Sequence, residues 1–179
     1  MGKADTQLQI TAYHEAGHTV AAHALGAPVG RVTIVPTDEY NGASLHGRII
    51  SRREIVAFEY GSISSFVGET VALRTVIIAF GGMVAQRRYS PHGLRRWHWS
   101  TDHEHIRDIV YRVVGDDATE AKHWYGRALR RTERIIEQRW REVDALALAL
   151  LEKRTLSGAE ATAAIQSPYA VPEVEQRRL

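Results

Sequence analysis

His14 and His18 stand one helical turn apart, and Glu15 directly follows the first of them in the string His14-Glu15-Ala16-Gly17-His18. On a helix, residues four apart lie on one face, one above the other. Two imidazoles placed in this way can reach a single zinc ion at about 2.0–2.1 Å. Glu15 can reach a water on that ion without ligating it. Zinc lowers the pKa of its water toward ~7, so the carboxylate can take the proton as the hydroxide attacks a peptide carbonyl. The expectation is hydrolytic metal chemistry, with His14 and His18 as ligands and Glu15 as general base. The bland alternative is a pair of exposed helix histidines with an acid between them. The flanking Ala12, Ala16, Val20, Ala21 and Ala22 favour an amphipathic helix with one buried face. Gly17 costs about 1 kcal/mol in mid-helix relative to alanine, so its presence implies close approach of another group beside the metal.

A catalytic zinc takes three protein ligands and keeps a fourth position open. The chain has no cysteine, which excludes both a thiolate site and a disulfide framework. The third donor must therefore be His or carboxylate. Asp102, at a helix start after a loop, is a sensible choice, but His98, His103, Glu104, His105 and Glu69 are rivals. Position does not choose among them.

The elements that must carry these residues are mostly helical. Asp5 or Thr6 caps a first helix running to about Leu25, with Gly26 as its stop. Residues 31–36 form a short β-branched strand ended by Pro36; 38–42 are a turn, and 44–50 are a second strand pairing with the first. A short helix covers 52–60 and a long apolar one 67–89. Pro91 and Gly93 make 90–100 a loop, and Ser100 or Thr101 caps a helix through Val114. From Thr119 to Lys153 the apolar spacing gives one long helix or a broken pair, with Trp124 and Trp140 at core or interface positions. Ser157 and Glu160 form a capping box before a last helix ending near Ile165. The fold class is mainly α with a small β-hairpin: one domain over 1–165, and a disordered tail over 166–179.

Composition restricts the function classes. The 179 residues carry a formal charge of only +2, with 44% hydrophobic and 25% charged residues, as a soluble globular domain does. Arginine pairs are interleaved with acids, which argues against a nucleic-acid stripe; only the loop Arg95-Arg96-Trp97-His98-Trp99 alternates basic and aromatic groups. The polar start lacks the apolar core of a signal peptide, and the most apolar stretch, 75–85, is too short to span a bilayer. A cytoplasmic protein without membrane contact is expected.

Taken together, these segments resemble the peptidase domain of the FtsH-type ATP-dependent zinc proteases. The likeness is carried by Ala12-Tyr-His-Glu-Ala-Gly-His18, Val32-Thr-Ile-Val-Pro36, Phe80-Gly-Gly-Met-Val-Ala85, Ser100-Thr-Asp102 and Leu156-Ser-Gly-Ala-Glu160. The resemblance implies a helical zinc metallopeptidase domain in which His14, His18 and Asp102 bind Zn2+ and Glu15 is the base. It also implies a substrate-side strand, here Gly42, Ala43, Ser44, Leu45 and His46, that holds extended polypeptide by backbone hydrogen bonds; an ordinary hairpin strand is the alternative. Where the family carries paired acids, this chain has Gln86 and Arg87, so any support for a zinc-bound histidine must come from the Gln86 amide oxygen. No G-x-x-x-x-G-K-[ST] string occurs in the 179 residues, so they encode no P-loop ATPase.

The leading expectation is an endopeptidase for flexible or unfolded polypeptide, working without its own ATPase. A homo-oligomer or a separate ATPase partner is compatible with that reading. The alternatives are a polypeptide-binding pseudo-peptidase or subunit of a larger assembly, and a nucleic-acid-associated module with a structural zinc.

Overall fold

The computed structural model describes residues 3–36, 43–46, 66–91 and 100–168. Helix α1 spans Lys3–Ala24. It begins before Asp5 and Thr6, which therefore lie within its first turns and do not cap it. Its stop is where the sequence puts it. Gly26 adopts φ 75°, its N–H donates to the His23 carbonyl at 2.9 Å, and Ala27 N–H donates to the Ala22 carbonyl at 2.9 Å. That is a left-handed helix cap, which glycine enters without a Cβ penalty. The expected amphipathic helix is corrected here: residues 10–22 are buried without interruption. The physical reason is that α1 is covered from several sides by the elements described next.

Helix α2 spans Phe66–Tyr89 and makes the most extensive packing with α1. Its stretch Gly68–Tyr89 is long and apolar enough to cross a bilayer, and 56% of an 18-residue apolar window within it is buried in the fold. The long apolar helix expected over 67–89 is found, and with Arg74 inside it the apolar span is longer than the 75–85 stretch read from the sequence. The Arg74 guanidinium donates to the Leu25 carbonyl, tying the C-terminus of α1 to α2. The two helices approach to backbone contact at Gly17 and Gly81. A Cβ on Gly81 would stand 2.5 Å from the Gly17 carbonyl oxygen and 2.9 Å from its carbon. Any side chain at either residue would force the helices apart.

The small sheet joins strands β1 (Val29–Thr33), β2 (Ala43–His46) and β3 (Thr155–Leu156) in the order β2-β1-β3. Both pairings are antiparallel: Val29 faces His46 and Thr33 faces Ala43 on one side, and Val32 faces Leu156 on the other. The first strand lies two residues earlier than the sequence suggests. Val32 is its buried anchor, and Ile34 N–H donates outside the strand to the Arg154 carbonyl at 2.9 Å. Val35 then turns outward, 48% exposed. The expected turn at 38–42, the helix at 52–60 and the end of the second strand at 47–50 lie outside the described residues.

Helices α3 (Ser100–Val114), α4 (Ala118–Gln138), α5 (Trp140–Lys153) and α6 (Gly158–Gln166) complete the described fold. The long apolar pattern after Thr119 is a broken pair, interrupted at Arg139, whose guanidinium reaches Glu142 at 2.9 Å. Asp117 caps α4 by accepting from the Thr119 and Glu120 N–H groups. The capping box at Ser157 and Glu160 opens α6 as expected. Beyond Pro168, the tail lies outside the described residues.

Two apolar clusters flank the α1–α2 pair. One joins α1, the sheet, α5 and α6 through Val20, Val32, Leu146, Leu150 and Ile165. The other joins α2 to α3 and α4 through Ile77, Phe80, Ile109 and Trp124. Both tryptophans pack apolar surface, Trp124 within the core and Trp140 half-buried against it. Trp124 is buried, and Trp140 stacks on Tyr13, with ring centroids 5.7 Å apart.

Candidate metal centre

Three donor atoms from two elements converge at the α1–α2 interface. His14 Nε2 and His18 Nε2 are 3.0 Å apart. Asp102 Oδ2, from the first turn of α3, lies 3.1 Å from His14 Nε2 and 3.3 Å from His18 Nε2. Donors held at about 2.0–2.1 Å from a tetrahedral zinc are themselves about 3.3 Å apart. The triangle of donors therefore fits one face of a zinc tetrahedron, and the donor set of two imidazoles and one carboxylate suits that ion. Among the described residues this is the only group of His and acidic side chains arranged to hold a metal.

The supporting contacts run along one stripe of α2 at four-residue steps. The Ile78 carbonyl lies 2.8 Å from His18 Nδ1. A carbonyl can only accept, so His18 carries a proton on Nδ1, and its Nε2 is turned toward His14 and Asp102. At the other end of the stripe, Gln86 Oε1 lies 3.0 Å from His14 Nδ1 and orients that ring in the same way. Between them is Gly82, whose Cα faces the two Nε2 atoms. A Cβ there would overlap His18 Nε2 and stand 2.7 Å from His14 Nε2. The helices run antiparallel, so the two-histidine step on α1 meets the 78, 82, 86 step on α2 in register. Gln86, 1% exposed, thus points inward, while Arg87 beside it is exposed.

The buried charges act on one another. Burial works against a charged His18, but the Asp102 carboxylate outweighs it and holds the imidazolium up to about 9. Burial likewise opposes ionisation of Asp102, yet the two imidazoles keep its carboxyl far below the ordinary carboxylate range. Glu15 is only 6% exposed. Burial raises its pKa, and the neighbouring histidines offset this in part. A carboxylate made more basic by burial is suited to accept a proton from water.

Four of the five rivals for the third position stand apart from the three donors. Glu69, His103, Glu104 and His105 are exposed, and His103 approaches Tyr125 Oη at 3.4 Å instead. His98 lies outside the described residues, as do Gly42 and the basic-aromatic loop at 95–99. Of the expected substrate segment, Ala43–His46 forms β2, an outer strand of the sheet that packs beside α1.

Two contributors were not read from the sequence, the Ile78 carbonyl and the missing side chain of Gly82. The spacing of Gly82 and Gln86, matching that of His14 and His18, is the signal that could have found them. No protein-family model matches the chain, and no curated protein matches it either.

Proposed function

We propose that this chain is a zinc-dependent endopeptidase that cuts flexible or unfolded polypeptide. The observation that carries the reading is the convergence of His14 Nε2, His18 Nε2 and Asp102 Oδ2 to within 3.0–3.3 Å of one another, beside the buried carboxyl of Glu15. The similarity of these segments to FtsH-type peptidase domains supports the same reading.

Zinc, when bound, would polarise the scissile carbonyl and acidify a water. The chain's own residues do the rest. His14, His18 and Asp102 hold the ion, with Gln86 and the Ile78 carbonyl keeping both imidazoles in the ligating tautomer. Glu15 takes the proton from the attacking water and delivers it to the leaving amine. β2 has an unpaired edge among the described strands, on which an extended peptide can lie by main-chain hydrogen bonds. A peptide held that way must already be unfolded, because opening a stable core costs up to its full stability of about 5–15 kcal/mol.

The test compares a stable folded protein with a permanently unfolded variant of it, each incubated with the purified chain with and without ATP and a zinc chelator. Cleavage of the unfolded form alone, abolished by chelator, restored by zinc and indifferent to ATP, is expected. ATP-stimulated cleavage of the folded form, or no cleavage by zinc-loaded protein, would overturn the proposal.

A further inference from the structure

Three glycines line the α1–α2 interface, and they face different things. Gly17 and Gly81 face backbone. A Cβ on Gly17 would collide with the Gly81 carbonyl group and stand 2.6 Å from Ala85 Cβ, and a Cβ on Gly81 would meet the Gly17 carbonyl group. Two helices cannot keep this separation with a methyl between their main chains, so these glycines serve the fold. Gly82 meets side chains first. The three atoms nearest to its would-be Cβ are His18 Nε2, His14 Nε2 and His18 Cδ2, the last two at 2.7 Å. All three are outer ring atoms of side chains, not main-chain atoms.

We infer that Gly82 is a metal-positioning residue, kept free of a side chain so that the two imidazole nitrogens can converge, and not for helix packing. The inference rests on the metal site proposed above and concerns how that site is kept open. In metal-free protein a methyl at Gly82 needs only the two rings to swing aside, whereas ligation requires both Nε2 atoms within about 2.0–2.1 Å of one ion. The same methyl is therefore compatible with the fold and incompatible with the ion. Helix propensity acts in the opposite direction, because glycine in a helix interior is less favourable than alanine. A substitution that helps the helix should thus destroy the site, which separates this role from a packing role.

The experiment uses the full chain as wild type, Gly82→Ala and Gly81→Ala. It measures helix content, melting temperature without metal, the rise in melting temperature on adding zinc, and zinc affinity by chelator competition. Gly82→Ala should keep wild-type helix content and melt no lower than wild type without metal. Its zinc-induced rise should vanish and its affinity should fall by more than about 100-fold, since misplacing both ligands exceeds the ~10–100-fold loss of an outer-shell partner. Gly81→Ala should melt well below wild type even without metal. Zinc affinity of Gly82→Ala within a few-fold of wild type would overturn the inference, as would a metal-free melting loss matching that of Gly81→Ala. If wild type takes up no zinc, the metal reading falls and this role of Gly82 falls with it; that outcome is distinct because it precedes any comparison of variants.

Discussion

Gln86 Oε1 lies 3.0 Å from His14 Nδ1 across the α1–α2 interface, so a neutral amide on one helix orients a candidate metal ligand on the other. A carboxylate at this position would add a negative charge beside any ion held there; the amide supplies the acceptor without it. Orientation of the ring is thereby separated from the charge of the site.

Replacing that acceptor should weaken the metal. Gln86→Leu keeps the volume roughly but leaves the His14 N–H without its partner, and zinc affinity should drop by about 10–100-fold. Gln86→Glu, which restores an acceptor oxygen, should retain zinc far better than the leucine variant. Chelator competition on the three proteins measures this, and equal affinities for the leucine variant and wild type would remove Gln86 from the site.

Asp102 is the single carboxylate among the three converging donors, and a neutral amide is a much poorer zinc donor. Asp102→Asn should strip zinc and abolish proteolysis, while His98→Ala, His103→Ala, Glu104→Gln and His105→Ala should each leave the metal in place. Metal content of the purified variants decides. Loss of zinc from one of the latter four, with retention in Asp102→Asn, would reassign the third ligand.

The proton on His18 competes with the metal. Its pKa in the metal-free fold is raised to about 9 from an ordinary 6.5, so its contribution to stability is complete below pH 6.5 and is lost as pH rises through 9. Zinc requires the imidazole without that proton. The metal-free melting temperature should therefore fall between pH 6.5 and 9, and the rise on adding zinc should grow over the same interval. A metal-free melting temperature that is flat across this interval would show that Asp102 does not hold the His18 proton.

Much of this arrangement is legible in the chain, for identifiable reasons. The i, i+4 histidines, the Gly26 stop and the Ser157–Glu160 capping box are local patterns, and local geometry alone fixes what they build. The pairing of β3 with β1 joins residues more than a hundred positions apart, and no two-residue strand announces its partner. The full burial of α1 is illegible for a related reason, since the small residues on its several faces are covered by α2, α4, α5 and the sheet. Asp102 lay between: its position at a helix start is readable, but its convergence with His14 depends on how α3 docks against α2. The Gly17–Gly81 contact was half legible, because Gly17 implied a close neighbour and nothing local identified it.

The central claim is that Glu15 acts on substrate chemistry while His14, His18 and Asp102 hold the metal. Glu15→Gln tests it most directly, because glutamine keeps the shape of the side chain and leaves all three ligands untouched. Zinc content and turnover of an unfolded polypeptide are measured on the same preparation. The account predicts full zinc occupancy with turnover reduced by at least ~10²-fold, the usual scale for losing a general base. Wild-type turnover in a zinc-loaded Glu15→Gln protein would contradict it.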